Sequence, residues 1–360
     1  MNIYYYAFLI PIINFTNIFY ILLSLFFFFF YKTLKSKPRI LKNKLEKKKL
    51  NIAILIPIYN EAKNLKVLIK NLFALENNIE VIFINDLSTD NSLNILEKYQ
   101  QKYNYTIITR KNKKGYVAGV LNEGLKVVSK KVDYVGVLNG DCHFDITLIQ
   151  NIKILLENYE IQILNLSNTV QYPNNFYQYL GYIEKQFKNG LFKYSEASLN
   201  NGYFIKKDIL EKIGGWDEDC LTEDLKLNLS IKSNGYKIFQ CDYEVIDKVP
   251  NSLYGLFNQK YRWIKGDIEE RFKNLPKDIY ELVVMIYYIF PLFTLFSCLF
   301  YKLIIFNRIF IIQFVIFIIE GMLNYKFTGN IIDSIIYPIS QFCFSVYFYL
   351  NYITSNKNKW

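Results

Sequence analysis

NIAILIPIYNEAKNLKVLIKNLFALENNIEVIFINDLSTD, residues 51–90, is the stretch that decides the fold. It opens with a short apolar run, Ile52–Ile58, that stops at the polar turn Tyr59-Asn60-Glu61. Such a run reads as a parallel strand buried on both faces. Leu65, Leu68, Ile69 and Leu72 then recur at helical spacing. IEVIFIND (79–86) reads as a second strand, and LSTDNSLNILEKYQQKY begins with Ser, Thr and Asp before a second helix. TIITR (106–110) supplies a third strand and VDYVGVLNGD (132–141) a fourth. Strands alternating with helices predict an α/β sheet, and ligands of such sheets sit at the carboxyl ends of the strands.

Polar residues collect at those ends. Tyr59, Asn60 and Glu61 follow the first strand, Asn85 and Asp86 the second, with Asp90 further on, and Asn139 and Asp141 the fourth. An aromatic ring, carboxylates and amides on one edge suit a base, a ribose and a metal-bound diphosphate. The plainer reading makes them helix caps and turn formers, and it is preferred for Asp90. No G-x-G-x-x-G or G-x-x-x-x-G-K-[ST] occurs, so dinucleotide and P-loop readings have no support.

The flanks have a different character. Among 360 residues, 43 Lys and Arg face 32 Asp and Glu, a net charge of +11. Residues 32–50 hold nine basic side chains and one Glu, a net of +8, so the rest of the chain carries only +3. That is a short run rather than a basic face, which argues against a nucleic-acid partner. It directly follows residues 1–31, which carry no charge, and residues 7–30 are apolar enough and long enough to span a bilayer. The basic run would stay cytoplasmic and meet anionic lipid headgroups, with the N-terminus outside. Residues 282–301 and 334–356 are again uncharged, while 303–325 is interrupted by Asn307-Arg308 and closed by Glu320. The expectation is a multi-pass cell-membrane protein with its catalytic domain in the cytoplasm. It has an anchor at 1–31, a basic linker at 32–50, a catalytic domain at 51–270 and two or three spans in 271–360. Five cysteines without paired spacing exclude a disulfide framework and argue against a zinc ribbon. Aromatic residues reach 18%, but the matching excess of Ile, Asn and Lys points to codon bias.

The central stretch resembles the membrane-embedded inverting glycosyltransferases of family two, which include cellulose, chitin and hyaluronan synthases and ceramide glucosyltransferase. The resemblance rests on IPIYNE, INDLSTD, GYVAGVLNEGL, VLNGDCHFD, GGWDEDCLTEDLKLNLSIKSNGYKI and Gln259-Lys260-Tyr261-Arg262-Trp263, in that order over residues 52–270. It implies a GT-A fold with a mixed, mainly parallel sheet, a nucleotide-sugar donor and a divalent metal, Mg2+ or Mn2+. It implies that Pro57, Tyr59, Glu61, Asp86, Asn139 and Asp141 bind the nucleotide sugar, with Asp141 on the metal. Asp224 is implied as general base and Arg262 as its catalytic partner near the diphosphate. Glu223, Gln259 and Trp263 are implied at the acceptor, a polysaccharide or a membrane lipid. The chemistry needs these types: a leaving diphosphate needs positive charge, an attacking hydroxyl needs a base, and a sugar ring suits an indole face.

The chain departs from that pattern at Asn85, Asn139, Val117, Asn200 and Lys260, where relatives usually carry Asp, Asp, Lys, Gly and Arg. Lys113 or Lys114 could stand in for the missing phosphate-facing Lys. These departures keep open a catalytically silent nucleotide-sugar-binding or assembly subunit. The few spans fit a lipid acceptor or a homo-oligomer. His143 reads as a wall residue beside Asp141, and Cys142 as small packing.

Overall fold

The computed structural model describes residues 48–75, 79–170, 173–194, 198–273, 317–319, 321–326 and 328–354. The expected anchor at 1–31, most of the linker and the span at 282–301 lie outside the described residues. The chain divides into two compact units, one of Pro38–Asn251 and one of Met1–Lys37 with Ser252–Trp360.

In the first unit, β1 (Ile52–Ile58) is a central strand. It pairs in parallel with β2 (Glu80–Asn85) on one side and β4 (Tyr134–Val137) on the other. β3 (Thr106–Thr109) extends the sheet beyond β2, again in parallel. β6 (Tyr203–Lys206) then runs antiparallel to both β4 and β5 (Ile163–Thr169), and β7 (Ile238–Ile246) closes the sheet parallel to β5. The order β3-β2-β1-β4-β6-β5-β7 is a mixed, mainly parallel sheet, as expected.

The unbroken apolar run of β1 has a direct cause, because both of its faces are covered. Ile52, Ile54, Ile56 and Ile58 pack with Leu65, Leu68, Ile69 and Leu72 of α1 (Ala62–Leu72). Leu96 of α2 (Ser92–Gln100) and Leu148, Ile149, Ile152 and Leu156 of α4 (Leu148–Asn158) complete that layer. Ala53 and Leu55 face the other layer, with Ala118, Val120 and Leu121 of α3 (Tyr116–Val127). Ile209 and Leu210 of α6 (Lys207–Lys212) and Leu227 and Ile231 of α7 (Glu223–Ser233) join them. Each of the buried Leu, Ile and Val side chains here stabilises the fold by roughly 1.5–3 kcal/mol before entropy is counted. α5 (Phe176–Tyr194) lies against β5 and β7.

The second unit is described by α8 (Leu253–Lys273) and α9 (Ile331–Thr354). Phe257 and Tyr261 of α8 meet Phe344, Tyr347 and Phe348 of α9, with ring centroids 4.4–5.3 Å apart. Within α9, Ile331–Tyr349 is long and apolar enough to cross a membrane, one such helix among the described residues. Ile331, Ile335 and Ile339 form an exposed apolar stripe along it.

Candidate active site

The carboxyl ends of β1, β2 and β4 deliver three short loops to one edge. The loop after β1 bends at Asn60, whose φ of 57° is left-handed. That strain is held by the loop after β2: the Asn60 Oδ1 accepts the Thr89 N–H at 2.8 Å, and the Asn60 N–H donates to Ser88 Oγ at 3.1 Å. Asp90 accepts the Ala62 N–H at 3.1 Å and the Ser92 N–H at 2.9 Å, tying the starts of α1 and α2 together. Asp90 stands one residue before the α2 cap position, Asn91, and holds main-chain N–H groups at both helix starts, a local role of the kind the plainer reading preferred. Asn85 also works locally, its Oδ1 accepting the Ser88 N–H at 3.1 Å and its Nδ2 pointing at Thr109 Oγ1.

Asp86 does not stand free in the site. Its Oδ1 is paired with Arg110 Nη1 at 2.7 Å, and the side chains are only 19% and 5% exposed. Arg110 also donates to the carbonyls of Lys114 and Tyr116. The guanidinium thus fixes the turn before α3, where Gly115 adopts φ 79° and Tyr116 φ 48°. That turn carries Lys113, whose Nζ lies 3.7 Å from the centroid of the exposed Tyr59 ring. Val117, at the phosphate-facing position of the pattern, is exposed. Sequence reading passed over Arg110, which looked like the polar end of a strand.

The loop after β4 sits directly on β1. A Cβ on Gly140 would lie 2.9 Å from the Pro57 carbonyl oxygen and 2.6 Å from Ile58 Cδ1. This close approach brings Asp141 into the field of Glu61. Burial raises the Glu61 carboxyl above its usual range, the Asn64 amide opposes this, and Asp141 adds to it. Burial likewise raises Asp141, with Asp247 adding and Lys248 and Lys185 opposing. His143 forms an antiparallel bridge with Ile246, its N–H donating to the Ile246 carbonyl at 2.9 Å. Burial, then Lys248, lowers its imidazole pKa, while Asp141 opposes this. Cys142 is buried and its thiol is pushed well up by burial, consistent with packing alone.

Among the described residues, no three His, Cys, Asp or Glu side chains surround one point. A hard divalent cation does not require that, since it is commonly held by one or two carboxylates and by substrate phosphates. A largely buried Asp141, with Asp247 adding to the cost of its charge, fits such an ion.

Asp224 and Glu223 occupy the first turn of α7. Asp224 Oδ1 accepts the Leu225 N–H at 2.8 Å. Beneath them Tyr203 is buried, and its hydroxyl accepts the Trp216 Nε1–H at 2.7 Å. Trp216 is gripped through its main chain by Asn122 of α3, at 2.8 and 3.1 Å. Lys226 Nζ lies 3.8 Å from Asp217 Oδ2. The Thr222 hydroxyl, next in chain, is buried with no partner among the described residues.

Gln259, Arg262 and Trp263 lie on α8, in the second unit. Arg262 is exposed and Gln259 half-buried. The buried Lys260 lies over Trp263, its Nζ 4.3 Å from the ring centroid. Burial brings the Lys260 ammonium down to about 7.

Glycosyl transferase family 2 matches residues 53–207, and Glycosyl transferase family group 2 matches residues 189–328. The chain is 25% identical over 375 residues to the poly-β-1,6-N-acetyl-D-glucosamine synthase of Staphylococcus epidermidis, covering 98% of this chain and 82% of the relative. It is 28% identical to the synthase of that name from Staphylococcus aureus strain COL, where the match spans 71% of this chain and 63% of the relative, just under two thirds of its length. A solved mannosyltransferase from Pyrobaculum calidifontis, in complex with GDP-Man and Mn2+, superposes with a TM-score of 0.60 at 14% identity, covering 95% of this chain and 97% of that one. At that identity the likeness concerns the fold alone.

Proposed function

The chain belongs to glycosyltransferase family 2, and we propose that it is a membrane-bound inverting enzyme that extends a polysaccharide from a UDP-linked N-acetylhexosamine. The observation that carries this reading is the meeting of the β1, β2 and β4 loops, in which Gly140 rests on Pro57 and draws Asp141 to Glu61. The choice of sugar and of a polymer product is supported by the synthases matched across 98% and 71% of the chain. Membrane attachment is supported by the apolar Ile331–Tyr349 segment and by the uncharged N-terminal 31 residues.

In this reading Pro57, Tyr59, Glu61 and Asp86 hold the base and ribose. Asn139 and Asp141 face the diphosphate. A divalent cation on Asp141, Mg2+ or Mn2+, would supply positive charge against the departing diphosphate. Asp224 takes the proton of the attacking acceptor hydroxyl, an effect worth about 10²–10⁴-fold. A single base on the face opposite the leaving group inverts the anomeric centre. The family resemblance assigns the acceptor to Glu223, Gln259 and Trp263, and charge at the leaving diphosphate to Arg262.

The test is transfer in nanodiscs, with labelled UDP-GlcNAc, UDP-Glc and GDP-Man and with Mg2+ or Mn2+. The expected result is an EDTA-sensitive polymer from UDP-GlcNAc. A product one sugar long in the lipid phase would move the acceptor to a lipid. Failure of every donor to bind would overturn the reading in favour of a silent subunit.

A further inference from the structure

The Asn139–Gly140–Asp141 turn is held by side chains from the β6, β7 and α5 side of the sheet. The Asn139 N–H donates to Asn201 Oδ1 at 3.0 Å. The other end of that amide, Asn201 Nδ2, donates to Asp247 Oδ1. Asp247 Oδ2 is paired with Lys185 Nζ on α5, and both side chains are 15% exposed. The Asp247 N–H is itself fixed to the Thr169 carbonyl at 2.9 Å, at the end of β5. Asn201 is equally constrained: its carbonyl accepts Asn168 Nδ2 at 2.7 Å, and the neighbouring Asn200 N–H donates to Asn165 Oδ1 at 3.0 Å. Asn165 and Asn168 are buried, and they order the Asn200–Gly202 loop against β5.

We propose that Asn201, Asp247 and Lys185 are positioning residues, a brace that presets the Asn139–Asp141 turn for the donor diphosphate and its cation. The inference rests on the reading that this turn holds the diphosphate. Each bond in the brace has one polarity. Asn201 must accept from Asn139 and donate to Asp247, and Asp247 must accept from both Asn201 and Lys185. Asn201→Asp removes a donor and sets two carboxylates face to face. Asp247→Asn lets an amide meet an amide and strips Lys185 of its counter-charge. Together the two substitutions restore every polarity. The carboxylate at 201 then accepts from Asn139 and from the amide at 247, whose oxygen accepts from Lys185, and the net charge of the group is unchanged.

The experiment measures UDP binding to the full chain in nanodiscs, with Mn2+ and with EDTA, for the wild type, both single variants and the double. Each single variant should weaken Mn2+-dependent UDP binding by about 10–100-fold, the usual cost of losing a group that orients a metal ligand. The double should recover to within roughly threefold of the wild type. A merely structural role would move the melting temperature of the single variants but leave the Mn2+-dependent UDP affinity of the folded protein unchanged. Wild-type binding with unaffected single variants, or a double no better than the worse single, would overturn the brace alone. No Mn2+-dependent UDP binding by the wild type would overturn the donor reading and the brace with it.

Discussion

Arg110→Met removes the buried guanidinium that joins Asp86 to the turn before α3. It leaves Asp86, 19% exposed, without its 2.7 Å partner, and it frees the carbonyls of Lys114 and Tyr116. Removing one member of a buried ion pair costs about 3–5 kcal/mol, because the remaining charge stays desolvated. For a unit of this size each kcal/mol is worth about 2–4 °C, so the melting temperature should fall by about 6–20 °C. The assay is thermal unfolding of the purified protein in nanodiscs, run as a cycle with Asp86→Leu and the double variant. An apolar pair of similar volume tolerates burial, so the double should be more stable than Arg110→Met alone, with a coupling of about 2–3 kcal/mol. The Lys113 turn would also loosen, and UDP binding should weaken in Arg110→Met. A loss below about 1 kcal/mol, or strictly additive effects, would refute the claim that this pair organises the loop.

Three further outcomes follow from the geometry. Gly140→Ala drives a methyl into the Pro57 carbonyl and Ile58, so the Asp141 turn must move; kcat/KM for the donor should fall by about 10²-fold. Asp90→Ala frees the Ala62 and Ser92 N–H groups and should cost about 1–2 kcal/mol in thermal unfolding at neutral pH. Burial acts to raise the Asp90 carboxyl, but its Ser92 and Ala62 hydrogen bonds prevail and hold it below the usual range. That contribution is fully present above the ordinary Asp pKa of about 3.9 and is lost as pH falls through the lower folded value, so wild type and variant should converge in acid. Lys260 is lowered to about 7 in the folded protein, so the unfolded chain binds the extra proton between there and its ordinary value. Wild-type melting temperature should therefore rise from pH 7 toward 10, and Lys260→Met should flatten that rise.

The first half of the sheet was legible because its strands are buried on both faces. Ile52–Ile58 and IEVIFIND read as continuous apolar runs, and Leu65, Leu68, Ile69 and Leu72 marked the inner face of α1. The second half was not, because β5 reads ILNLSNT. Its Asn165, Ser167 and Asn168 are buried by hydrogen bonding to Gln240, Asn189 and Asn201 rather than by hydrophobicity, and no periodicity announces that. The site divides in the same way. Glu61, Asp86 and Asp141 were found from their places at strand ends. Lys185, Asn201 and Asp247 are far apart in sequence, belong to no motif and meet only in the folded sheet. Arg110 was missed because a basic residue after TIIT looks like an exposed strand end, whereas it is buried. The expected spans at 1–31 and 282–301 fall outside the described residues.

The most direct test of the account separates chemistry from donor binding at Asp224. Sugar transfer from labelled UDP-GlcNAc and Mn2+-dependent UDP binding would be measured side by side for the wild type and Asp224→Asn. A catalytic base predicts a loss of about 10²–10⁴-fold in turnover with UDP affinity unchanged. Turnover retained within a few-fold in Asp224→Asn would contradict the assigned base. A wild type that binds UDP but transfers no sugar to any acceptor would contradict the account itself.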